Sequence, residues 1–240
     1  MDQAPRAPAG SHQGCAALSS ALIVPAFGQG VRTGEDKLWA IADGRPVIAI
    51  TLESIAAAGC FDLVAIAAPS VRWDAIRSIV GEHNLPDVVL VEGGERRQDS
   101  VAAAIDRCGD HAWISVHDAA RPLTPRGLFR AVLDAAQSDG AATAGVPFVD
   151  TVKQVQDGRV TATLDRSSII ATQTPQSFGA DILRRAHRNA AATGISAGDD
   201  AELVEAIGEP VTVVPGDPRN FKITFPQDLV LLRSLLEEVR

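Results

Sequence analysis

The chain has 240 residues, 46% of them hydrophobic, and Ala, Val, Leu and Ile dominate over the 4% that are aromatic. That allows one large α/β domain or two small ones with a sizeable core. A formal net charge of −8 argues against a general nucleic-acid binder, and no apolar run approaches membrane-spanning length.

Residues 1–17, MDQAPRAPAGSHQGCAA, are rich in Pro, Gly, Ala and polar groups. They have neither the apolar centre of a secretory signal nor an Arg-rich transit character, so they are predicted to be a disordered tail before a single domain over 18–240. Cys15, Cys60 and Cys108 are odd in number and widely spaced. They read as reduced thiols of a cytoplasmic protein.

Residues 21–26, ALIVPA, suit a strand buried on both faces. A glycine-rich loop follows, with Gly28, Gly30 and Gly34 interleaved with Arg32 and Lys37. Glycines let backbone N–H groups approach an anion, and the two cations add mobile positive charge. In an acidic protein such a local concentration suggests a triphosphate cradle. The competing readings are a surface turn with solvated charges, or a loose dinucleotide-type spacing that lacks its usual acidic partner.

Residues 46–58 are predicted helical, with Pro in the first turn and Gly59 as the stop. Residues 62–68 read as a strand, 71–80 as a helix with Trp73 as a packing residue, and 88–91 as a strand. A second loop, GGERRQDS, covers 93–100. Then come a helix over 100–108, a strand over 112–116, a third loop HDAARP over 117–122, and a helix over 128–136. Strands alternating with helices predict a doubly wound, mostly parallel α/β sheet. Right-handed crossovers put all three loops on the carboxyl rim, where such sheets bind ligands.

The alternation breaks near 147. Residues 147–164 hold two β-rich segments around Asp157-Gly158, a strong hairpin signal. A lone ribbon is marginal in water, so this arm, about 147–168, is predicted to pack on a second subunit. Helices over 179–192 and 199–207, a strand over 211–214 and a final helix over 226–238 complete the chain, without internal repeats.

Taken in order, IVPAFGQGVRTGEDKL, GGERRQDSV, VHDAARP, DTVKQV, TLDRS, TQTPQSF, GDDAELVE and NFKITFPQDL resemble the 2-C-methyl-D-erythritol 4-phosphate cytidylyltransferase family. Ribitol-5-phosphate cytidylyltransferases have similar loops. The resemblance implies a Rossmann-like, GT-A-like nucleotidyltransferase domain and a homodimer joined by swapped arms. It implies CTP and a sugar-alcohol phosphate as substrates, with magnesium as the divalent ion. Arg32, Lys37 and Lys222 match the family's catalytic cations. Ala26, Phe27, Gly28, Gly94, Glu95 and Ser100 match positions around the nucleotide. For Ser100 a helix N-cap is the alternative.

Asp118 matches a position that holds the acceptor's hydroxyls or the metal, with a self-satisfied turn as its alternative. Arg121 is expected to hold Asp118 and the acceptor side of the pocket, and His117 to be structural. Thr151, Arg166 and Thr174 match positions that grip the acceptor's phosphate. Thr151 and Arg166 are lent to the partner's site, with Asp165 expected to orient or pair with Arg166. The chain departs from the family pattern in three places. Phe27 replaces an Ala, placing a ring where it could crowd or stack near the base. The segment between Arg32 and Lys37 is short. Gly198 replaces a Thr, leaving a catalytically weak nucleotide-binding protein as a third reading.

Overall fold

The computed structural model describes residues 19–27 and 36–238. The predicted tail, Gly28 and Arg32 lie outside them.

The apolar run at the start forms β1 (Ser20–Pro25). A two-stranded ribbon, β2 (Ile41–Ala42) with β3 (Arg45–Pro46), leads into helix α1 (Val47–Ala58). Next come β4 (Leu63–Ala68), a 3₁₀ turn, α2 (Trp73–Glu82), β5 (Asp87–Glu92), α3 (Arg97–Ile105), β6 (Trp113–Val116) and α4 (Arg126–Asp139). The second half holds β7 (Ala141–Pro147), the arm strands β8 (Lys153–Gln156) and β9 (Arg159–Thr163), and β10 (Ile170–Gly179). It ends with α5 (Ala180–Thr193), α6 (Asp200–Glu205), β11 (Thr212–Pro215) and α7 (Pro226–Glu237).

Among the described residues one sheet has seven strands in the order β11-β7-β10-β6-β1-β4-β5. β10 alone runs antiparallel to its neighbours, so the predicted doubly wound, mostly parallel sheet is present. Alternation along β1 explains the layers. Leu22 and Val24 pack with α1, α2 and α4 on one face, and Ala21 and Ile23 with α3, α5 and α6 on the other. All four are fully buried. Each large aliphatic there contributes about 1.5–3 kcal/mol.

Three expectations change. The sequence reading has no strand at β7 or β10, because β7 is mostly Ala with a Gly and β10 carries Pro175, both poor strand signals. Burial between neighbours overrides propensity in each. α3 starts at Arg97 rather than Ser100, so Ser100 lies inside the helix and is not its cap. α2 starts at Trp73, which packs on the core and donates Nε1–H to the Ala68 carbonyl at 3.0 Å.

The predicted hairpin is present as a separate two-stranded sheet. Asp157 and Gly158 both have positive φ, 50° and 74°, as a two-residue primed turn requires. Its strands are almost wholly exposed, including Val155 and Val160. Among the described residues no helix is long and apolar enough to cross a membrane.

Candidate active site

Because β1, β5 and β6 are parallel to one another through the sheet, the loops that follow them meet at one rim. β6 hands the chain to His117 and Asp118. His117 N–H donates to the Ile23 carbonyl at 2.9 Å, and its ring is buried. The Asp118 backbone N–H donates to Thr174 Oγ1 (3.0 Å), which lies 3.0 Å from His117 Nδ1. His117 Nε2 is 3.2 Å from Thr124 Oγ1, itself 2.7 Å from Asn220 Oδ1. One proton arrangement satisfies every member: Thr174 donates to Nδ1, Nε2–H donates to Thr124, and Thr124 donates to Asn220. Burial pushes the His117 pKa down to about 3. It is a neutral strut with both nitrogens engaged, as expected, and not a base.

Asp118 is the hub. Its Oδ1 accepts from Arg97 Nε at 2.9 Å; its Oδ2 lies 3.0 Å from Lys222 Nζ and 3.4 Å from Arg121 Nε. Burial alone would raise this carboxyl, but Arg97, Lys222 and Arg121 outweigh it and hold the carboxyl well below the ordinary range. Burial also lowers Arg121, from a starting value so high that it remains a cation at neutral pH. Arg121 Nη1 donates to the Asn220 carbonyl at 2.6 Å, and Ile223 N–H to the Ala120 carbonyl at 2.8 Å. These contacts set Lys222 beside Asp118. Arg97 also donates Nη1–H to Asp200 Oδ2 at 2.7 Å, and Asp200 Oδ1 lies 2.9 Å from His187 Nε2. Three cations thus surround two buried carboxylates.

Two cavities meet at this cluster, and Arg97, Asp118 and Lys222 line both. The larger, about 480 Å³, adds Arg121, Thr174, Gln176, Gly198 and acidic groups of α6. The smaller, about 100 Å³, adds Pro25, Phe27, Lys37 and Ala120. Of the residues expected from sequence, Phe27, Lys37, Asp118, Arg121, Thr174 and Lys222 therefore come together. Ala26 is buried behind them, its N–H donating to the Ala67 carbonyl at 2.8 Å. Thr151 and Arg166 line neither cavity; both are exposed on the arm. Arg166 donates to the Val149 carbonyl, while the Asp165 carboxylate accepts from Ser167 instead of pairing with Arg166.

The second loop is shaped by close packing. Gly94 N–H donates to Ser100 Oγ at 3.2 Å, and Ser100 is fully buried beneath the loop. Glu95 is exposed. The Phe27 ring lies against Gly93, where an added Cβ would stand 2.6 Å from ring Cδ2. It walls the smaller cavity from the side of Gly93.

Sequence reasoning passes over Arg97 and Asp200. The signal is present in Arg96-Arg97 and Asp199-Asp200. At a helix start, adjacent residues point about 100° apart, so one of each pair turns inward. Arg96 pairs outward with Asp99 at 2.6 Å, and Asp199 caps α6 through Glu202 N–H at 2.9 Å. Among the described residues no group of three or more His, Cys, Asp or Glu is placed to hold a metal ion.

The family model described as 2-C-methyl-D-erythritol 4-phosphate cytidylyltransferase matches residues 20–238. The chain belongs to this family. A cytidylyltransferase of that name from Symbiobacterium thermophilum is 44% identical over 95% of this chain and 97% of the relative. One from Rhodococcus opacus is 43% identical over 90% and 94%. Among solved structures, the Thermus thermophilus cytidylyltransferase superposes with a TM-score of 0.74 at 36% identity, covering 91% of this chain and 99% of that one. The 4-diphosphocytidyl-2C-methyl-D-erythritol synthase of Anaerococcus prevotii gives 0.83 at 25% identity, covering 91% and 98%. Members of the cytidylyltransferase family are nucleotidyltransferases, and these relatives carry the methylerythritol phosphate name rather than that of ribitol phosphate.

Proposed function

We propose that the protein transfers the cytidylyl group of CTP to 2-C-methyl-D-erythritol 4-phosphate, giving 4-diphosphocytidyl-2-C-methyl-D-erythritol and pyrophosphate, in cytoplasmic non-mevalonate isoprenoid synthesis. The observation that carries this is the family match over residues 20–238.

In this reaction an oxygen of the acceptor's phosphate bonds to the α-phosphorus of CTP. The bond from that phosphorus to the bridging oxygen breaks, and pyrophosphate leaves with the electron pair. The protein's task is in-line positioning and charge neutralisation, with little covalent work. Lys222, at the junction of the two cavities, takes the reacting phosphate. Lys37, with Arg32 of the same loop, takes the triphosphate. A cation about 4 Å from a phosphate oxygen contributes about 4 kcal/mol at an effective dielectric near 20. Phe27, Ala26, Gly28, Gly94, Glu95 and Ser100 form or support the nucleotide side. Asp118, Arg121 and Thr174 form the acceptor side. Thr151 and Arg166 come from the partner of a homodimer held by the arms, whose exposed Val155 and Val160 would be covered there.

A magnesium ion fits this site as a companion of the nucleotide. Asp118 is its candidate protein ligand, but both carboxylate oxygens already face cations, so the ion would draw most of its oxygens from phosphate and water. When bound it neutralises phosphate charge.

The test is pyrophosphate release with CTP, magnesium and methylerythritol phosphate, with ribitol 5-phosphate and ATP as parallel arms. Fast release with CTP and methylerythritol phosphate only is expected. Equal rates with ATP, or with ribitol 5-phosphate, would reject the assignment.

A further inference from the structure

Lys222 is subject to two pulls. A lysine 3.0 Å from a buried carboxylate is partly withheld from any phosphate. How tightly Asp118 holds it depends on the other cations around that carboxylate. Arg121 is the more distant, at 3.4 Å; Arg97 is the close one, at 2.9 Å. Arg97 is itself shared. Its Nη1 holds Asp200 at 2.7 Å, and its buried Nη2 has no hydrogen-bond partner among the described residues. Asp200 is 1% exposed and is fixed from behind by His187 and by Gln176 Oε1, which accepts its N–H at 3.1 Å. The groups therefore run in series: His187, Asp200, Arg97, Asp118, Lys222.

We propose that Arg97 and Asp200 are positioning residues for nucleotidyl transfer, acting through Asp118 to set how far Lys222 is released to the substrate's phosphate. This rests on the phosphate-binding role given to Lys222 above. More Arg97 charge on Asp118 weakens the hold on Lys222, because one carboxylate divides its attraction among its cations. Asp200 draws part of the guanidinium away. Neutralising Arg97 therefore tightens the Asp118–Lys222 pair, and neutralising Asp200 loosens it. A merely structural role would move both variants the same way.

The experiment first measures, without substrate, how fast the Lys222 amine is acylated by acetic anhydride, read by peptide mass spectrometry. Relative to wild type, Asp200→Asn is expected to react about threefold faster and Arg97→Gln about threefold slower, as a looser and a tighter Asp118–Lys222 contact would give. Arg97→Lys, which keeps the charge, is expected to lie close to wild type. Should Arg97→Gln fail to fold, the Asp200→Asn and Arg97→Lys pair decides. Steady-state rates supply the second arm. Arg97→Gln is expected to lower kcat in the wild-type background and to cost almost nothing further beside Lys222→Ala. Acylation shifts of the same sign, or rates that multiply independently with Lys222→Ala, overturn the proposal. A Lys222→Ala protein with full activity would instead overturn the phosphate role itself, leaving the acylation result to stand alone.

Discussion

The ring of Phe27 rests on Gly93 so closely that a Cβ built on that glycine would stand 2.6 Å from Cδ2 and 2.8 Å from Cβ and Cγ of the phenylalanine. The two residues come from different rim loops, so this contact ties the loop after β1 to the loop after β5. Gly93→Ala must push the ring aside. It is expected to destabilise the fold by about 1–3 kcal/mol, as overpacking does, and to raise the KM for CTP. Phe27→Ala removes the obstruction. The double variant should recover most of the loss in urea melts, and simply additive costs would mean that the contact does not exist in solution.

His117 makes stability depend on pH in a defined direction. Its folded pKa of about 3 lies below the ordinary histidine value of 6.5 because of burial. On acidification the unfolded chain takes this proton first. Its contribution is complete above about pH 6.5 and is lost progressively as pH falls from there towards 3, with a limiting slope on the order of 1 kcal/mol per pH unit. Asp118 and Asp200 are also depressed, so their contributions are complete above the ordinary carboxylate value and are lost as pH falls from there. Urea melts at about pH 7.5, 6.5 and 5.5, a range that brackets the unfolded histidine pKa, should show a flatter profile for His117→Gln than for wild type. Equal slopes would place the imidazole in water.

The sequence made the alternating elements and the three rim loops legible because their apolar periods and glycine stops are local signals. It did not show β7 and β10, since a sheet can bury Ala141, Ala142 and Ala144 whatever their intrinsic preference. At the site, resemblance found Asp118, Lys37 and Lys222. It passed over Arg97 and Asp200, whose roles depend on which of two adjacent like residues a helix turns inward.

The arm should hold two subunits together. Val155 and Val160 are paired across its two strands and are 58% and 61% exposed, an arrangement that a partner's surface would cover. Sedimentation of the intact chain should report a dimer. Val155→Asp combined with Val160→Asp should report a monomer with normal far-ultraviolet circular dichroism and little activity. A stable, fully active monomer of the unmodified chain would end the idea.

Arg166 is expected to join the dimer to the chemistry. This residue follows β9 in the motif TLDRS; its guanidinium holds the Val149 carbonyl and lines neither cavity of its own subunit. Its planar fork suits a phosphate presented by another subunit, since guanidinium binds phosphate bidentately. A site built around that charge discriminates strongly against acceptors lacking phosphate. Arg166→Ala should therefore raise the KM for the alcohol phosphate far more than the KM for CTP. Mixed dimers make the geometry decisive. One subunit carries Lys37→Ala and the other Arg166→Ala. If each arm serves its partner, one site in the mixed dimer holds both defects and the other holds neither. Activity should then recover to about half of wild type per mixed dimer, because one complete set of preorganised groups remains. Verified mixed dimers that show no recovery would mean that Arg166 serves its own subunit or binds no phosphate.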